Sequence, residues 1–82
     1  MTKLIRMPDG NAFSPALIER VTFYPTSLIV LCQDAKSNRI AWIKVANEVE
    51  GIRVREVLLD IADAGYRAEP PDWSFMEAKV AV

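Results

Sequence analysis

The residues able to do chemistry are few, and the missing ones decide more than those present. The chain has no histidine and one cysteine among 82 residues. Without His there is no ordinary general base near neutral pH and no Ser–His or Cys–His nucleophile. The usual zinc sites are excluded too, because they are built from Cys and His. Cys32 stands between Leu31 and Gln33 in an apolar run with no basic pair beside it. That setting describes a buried inert thiol, since a reactive thiolate needs a nearby cation or a helix N-terminus. Asp60 and Asp63 lie about one helical turn apart and could meet a hard cation. Solvation accounts for them better, because the Asp-x-Asp-x-Asp-Gly loop of a calcium site is missing. The other carboxylates are scattered and no glycine-rich phosphate loop is present. The expectation is a protein without catalytic residues, metal or cofactor.

Binding chemistry is better represented. The first 46 residues carry six Lys and Arg against three Asp and Glu, a net charge of +3. Arg6, Arg20, Arg39 and Lys44 could share a sheet surface with Tyr24 or Trp42, the ingredients of a nucleic-acid face. The whole chain is nevertheless acidic, with a net charge of −1 and an isoelectric point of about 5.3. A nucleic-acid footprint is normally more basic than that, so this reading ranks second. A contact with another protein ranks first. Trp73, Phe75 and Met76 follow the Pro70-Pro71 spacer, and aromatics and Met are enriched at interface centres. The plain alternative is that this tail packs on its own domain.

These residues need elements to hold them. Lys3–Met7 reads as a short strand ended by Pro8-Asp9-Gly10, a turn signal. Ser14 could cap one helical turn opened by Pro15. Arg20–Tyr24 and Leu28–Gln33 are β-branched and aromatic runs around Pro25-Thr26-Ser27, which predicts a hairpin. The polar loop Asp34–Asn38 leads to a third run, Arg39–Val45. One main helix is predicted at about 48–64. Asn47 caps it, Glu50 reaches back to the cap, and Gly65 ends it. Val54, Val57, Leu58 and Ile61 recur at helical spacing, with Val49 and Ala62 near the same face. Beyond the two prolines, Ser74–Val82 fits an extra strand or a short helix. The organisation expected is a domain over residues 1–66 and a C-terminal arm over 67–82. The fold class expected is α+β, a small antiparallel sheet of three to four strands packed against that helix.

Side chains alternate along a strand, so the turns assign faces. Pairing Phe23 with Leu28 and Val21 with Val30 across the first turn, and Cys32 with Ile40 and Val30 with Trp42 across the second, puts Trp42 on the helix side with Val21, Phe23, Leu28, Val30, Cys32 and Ile40. The other face then collects Ile29, Leu31, Ala41, Ile43 and Val45. A single helix covers one face, and large apolar patches rarely stay uncovered. The expected protein-binding residues are therefore Ile29, Leu31, Ile43 and Val45, with Trp73, Phe75 and Met76 of the arm. The cover could be the arm, a second copy packed sheet to sheet, or another protein. A one-residue slip in a hairpin would exchange the faces of a strand.

Leu4, Arg6, Gly10 and Phe13, then Leu17-Ile18-Glu19, Pro25, Ile29 and Leu31, resemble the FlbD family of small bacterial proteins linked to flagellar motility. The likeness spans roughly residues 3–31. The polar loop Asp34–Asn38 departs from it by lacking a tight glycine turn, and residues 66–82 are additional. What the resemblance implies is a compact strand-rich domain ending in one helix, with no catalytic residues to carry over.

Half of the residues are hydrophobic and a quarter charged, a globular composition. The longest apolar run, Leu28–Cys32, is far short of the ~20 residues that cross a bilayer. The first ten residues lack the long apolar stretch of a secretory leader. A lone cysteine fits a reducing, cytoplasmic setting. The function expected is a small non-catalytic regulator, adaptor or inhibitor that docks on another protein or on itself as a homodimer, away from membranes.

Overall fold

The computed structural model describes residues 4–8 and 10–76. Among the described residues, five short strands and one long helix make a small α+β fold. β1 (Ile5–Arg6) and β2 (Ala12–Phe13) pair antiparallel. In the turn between them Gly10 takes φ 91°, which glycine adopts without strain, and donates its N–H to the Met7 carbonyl at 2.9 Å. A single 3-10 turn follows at Pro15–Leu17. Pro15 is its first residue, as expected, but the Ser14 side chain makes no capping bond.

β3 (Arg20–Tyr24), β4 (Ile29–Gln33) and β5 (Arg39–Lys44) form an antiparallel sheet in the order β3-β4-β5. The central place of β4 explains its unbroken apolar run, which has neighbours on both edges and both faces. The first hairpin pairs Phe23 with Val30 and Val21 with Cys32, two residues from the expected register. An even shift preserves parity, so the faces of β3 and β4 are as expected. The loop residues Pro25–Leu28 absorb the shift, with Leu28 at φ 56° and its carbonyl accepting from the Val45 N–H at 2.9 Å.

The second hairpin corrects the sequence reading. Asp34 organises its loop: Oδ1 accepts the Lys36 and Asn38 N–H groups at 2.9 and 2.8 Å, and Oδ2 accepts Asn38 Nδ2 at 3.2 Å. This sets Gln33 opposite Arg39. Continued regularly, that pairing would give Cys32 opposite Ile40 and Val30 opposite Trp42. A β-bulge between Cys32 and Gln33 intervenes, and the pairs become Cys32–Ala41, Val30–Ile43 and Leu31–Trp42. One extra residue on β5 exchanges the faces of the rest of the strand. Ile43 and Val45 are therefore in the core, at 0% and 2% exposure, and Trp42 is outside at 45%.

The helix α1 (Glu48–Ala64) lies across the inner face of the sheet. Asn47 Oδ1 accepts the Glu50 N–H at 2.9 Å. Glu50 Oε1 reaches back to the Ala46 N–H at 3.1 Å, one residue before the position a regular capping box would use. Gly65 ends the helix at φ 60°, with its N–H on the Ile61 carbonyl. Val54, Leu58 and Ile61 are buried as expected. Val49 is instead 77% exposed, because it sits about 140° around the helix from Val54. Gly51 lies against the Phe23 ring of β3. A methyl group there would overlap the Phe23 ring.

The core joins Val30, Cys32, Ala41, Ile43 and Val45 of the sheet region to Val54, Leu58 and Ile61 of the helix. Ile5, Met7, Phe13 and Ile18 from the first segment close one side, and Ala68 belongs to the same cluster. Packing thus continues past residue 66. A 3-10 turn covers Gly65–Arg67, and residues 68–76 are neither strand nor helix. The strand or short helix expected over Ser74–Val82 lies largely outside the described residues.

Candidate functional site on the outer sheet face

The bulge that buries Ile43 also composes the opposite surface. Three rungs cross the outer face: Tyr24–Ile29–Lys44, Thr22–Leu31–Trp42 and Arg20–Gln33–Arg39. Strands lie about 4.8 Å apart and same-face residues about 6.7 Å along a strand, so the nine Cα positions frame about 10 by 13 Å. The middle strand supplies a half-buried aliphatic floor, Ile29 and Leu31. Exposed aromatics flank it on the two edge strands, Tyr24 on β3 and Trp42 on β5. Arg20 and Arg39 close one end and Lys44 the other, all exposed. No acidic residue occupies any of the nine positions. Among the described residues, no ion pair engages the three cations.

The expected binding residues divide into three groups. Ile29 and Leu31 are on this face. Ile43 and Val45 are not, since the register turns them inward. Trp73, Phe75 and Met76 are half-buried against the domain's own core. Trp73 Nε1 donates to the Arg6 carbonyl at 2.8 Å, and Phe75 lies 4.3 Å beneath the Arg53 guanidinium. The two rings are 6.1 Å apart at 44°. The arm is thus a clasp across β1 and α1. Of the expected cationic set, Arg20, Arg39 and Lys44 come together. Arg6 belongs to the other sheet, where its side chain reaches toward the Gly10 carbonyl at 3.5 Å.

Trp42, like Ile43 and Val45, is a residue that sequence reasoning put on the wrong side. A signal was available in Lys44, which has the same parity as Trp42. Burying Lys44 would cost several kcal/mol, far more than exposing part of an indole.

The remaining chemistry is muted. Burial pushes the Cys32 thiol up to about 11, which keeps it protonated at neutral pH. Asp60 and Asp63 are exposed on α1, and among the described residues no group of three or more carboxylates or thiols is arranged to hold a metal. A groove of about 280 Å³ runs between α1 and Pro70-Pro71, lined by Val57, Ile61, Ala64 and Ala68. No described helix is long and apolar enough to cross a membrane. No family model, curated protein or solved structure matches the chain.

Proposed function

We propose that the chain is a non-catalytic protein-docking module, a small regulator, adaptor or inhibitor working in a reducing compartment. One observation carries this reading: Trp42, 45% exposed, stands beside a half-buried aliphatic floor on a face without acidic residues. Trp, Tyr and Arg are the residue types that dominate interface hot spots, and Trp42, Tyr24, Arg20 and Arg39 supply them here. The aliphatic floor favours a protein partner over a single-stranded nucleic acid, because Ile29 and Leu31 offer no ring on which a base can stack. The cations ask for acidic groups on that partner.

Nucleic-acid binding is the second reading, favoured by the convergence of Arg20, Arg39 and Lys44 with Tyr24 and Trp42 on one surface. One experiment separates the two. The ¹⁵N-labelled full chain is titrated with a leucine- and glutamate-rich helical peptide, and separately with an oligothymidylate. Protein docking expects the peptide to shift the Trp42 indole signal and the amides around Leu31 and Ile43, with a shallow salt dependence. Nucleic-acid binding expects the oligonucleotide to do so with a steep one. If neither probe moves those signals, the outer face is not a docking surface.

A further inference from the structure

The two outward faces of this molecule are complementary to each other. The outer sheet face is apolar and cationic. The outward side of α1 carries Val49, Ile52 and Leu59, all exposed, among the exposed acids Glu48, Glu56, Asp60 and Asp63. At 100° per residue these seven positions fall within an arc of about 120°, opposite the buried Val54, Leu58 and Ile61. Arg53 stands at the edge of that arc and is drawn to Phe75. Arg55 stands at the other edge and is paired with Glu56 at 3.3 Å. From Val49 to Leu59 the stripe is about 15 Å long, which matches the length of a five-residue strand, about 17 Å.

We infer that a second copy of this chain docks its α1 outer face on the outer sheet face of the first. This rests on the docking role proposed for the sheet and names its occupant. Charge selects the arrangement. Sheet-to-sheet pairing would oppose Arg20, Arg39 and Lys44 to themselves, and helix-to-helix pairing would oppose four carboxylates to four. Only sheet-to-helix contact joins opposite signs, with Trp42, Tyr24 and Leu31 meeting Ile52, Leu59 and Val49. Such a contact is heterologous, so each bound copy leaves one face of each kind free and assembly continues as an open chain or a ring. The Cα frame of about 10 by 13 Å is small beside the ~800 Å² per partner of a stable interface, so the association is weak and concentration-dependent.

The test is sedimentation equilibrium of the full-length protein from about 10 µM to about 1 mM. The expected result at about 50 mM salt is a weight-average mass that climbs from 9.2 kDa past the dimer with no plateau at the dimer mass, and falls back at about 500 mM salt. The double variant Arg20→Glu/Arg39→Glu, with a like-charged pair of faces, stays monomeric. So does Glu56→Lys/Asp63→Lys. Mixing the two restores association as a one-to-one pair, because the unaltered cationic sheet of the helix variant then meets the unaltered acidic helix of the sheet variant. Wild-type protein that is monomeric at ~1 mM, a plateau at dimer, or a mixture that fails to associate while both variants keep native circular dichroism overturns the inference. Peptide-induced shifts at Trp42 alongside a monomeric wild type would leave the docking role standing and remove the second copy as its occupant.

Discussion

Replacing Ile43 and Trp42 in turn by threonine tests the β5 register, on which every surface described above depends. Threonine is β-branched and, like isoleucine and tryptophan, favours strands, so strand propensity changes little at either site. Ile43 is fully buried opposite Val30. Its replacement loses packing worth about 0.5–1.5 kcal/mol and buries a hydroxyl costing about 1–3 kcal/mol, together about 2–4 kcal/mol. An 82-residue domain holds about 4–12 kcal/mol in all. The loss is a large part of that total and lowers Tm by about 10–30 °C. Trp42 keeps nearly half of its surface in water, and a threonine hydroxyl there is solvated. Its replacement costs about 1 kcal/mol, or a few degrees. Urea and thermal unfolding followed by far-ultraviolet circular dichroism give both numbers. In the unbulged register the order reverses, because Trp42 would be core and its loss would cost about 3–5 kcal/mol. A Trp42→Thr variant at least as destabilised as Ile43→Thr would refute the bulge and the outer face with it.

Three further outcomes follow from local geometry. Gly51→Ala gains about 1 kcal/mol of helix propensity but forces the Phe23 ring aside, and the expected net result in urea unfolding is a loss of up to about 2 kcal/mol, partly recovered by adding Phe23→Leu. A stabilised Gly51→Ala would show that helix and sheet do not approach so closely. Trp73→Phe keeps an aromatic ring but removes the 2.8 Å bond to the Arg6 carbonyl, and is expected to cost about 0.5–1 kcal/mol and to speed proteolysis near Pro70-Pro71. The hydrogen bond from the Asn38 N–H, with further bonds from the Asn38 side chain and the Lys36 N–H, holds the Asp34 carboxyl below its ordinary 3.8. Its contribution is therefore present above pH 3.8 and lost as pH falls through the lower folded value. Wild type should exceed Asp34→Asn in Tm near neutrality, and the gap should narrow only in that acid range.

Local signals marked the elements well. Asn47, Glu50 and Gly65 bound a helix at 48–64 because caps act on groups within a few residues of themselves. Pro8 and Gly10, Pro15, and the β-branched runs of β3 to β5 likewise carry their conformational preferences in their own covalent structure. The aliphatic floor was legible too, since Ile29 and Leu31 have the parity expected for the outer face. The aromatic arm is legible as well, but its own domain takes it up through Trp73 and Phe75, in contacts with Arg6 and Arg53 that join residues 67 and 22 positions apart in the chain.

What the chain determined by itself is the inventory: no histidine, one cysteine in an apolar strand, a basic strand half, an acidic helix, and the places where each element begins and ends. The tertiary structure decided which way each side chain points. A single bulge at Cys32/Gln33 sent Ile43 and Val45 inward and Trp42 outward, and so gathered aromatic and cationic residues on one surface. The physical reason is that side-chain direction has a period of two along a strand. One inserted residue reverses it, and the bulge forms only where cross-strand pairing and the burial of Ile43 in the core outweigh a regular ladder.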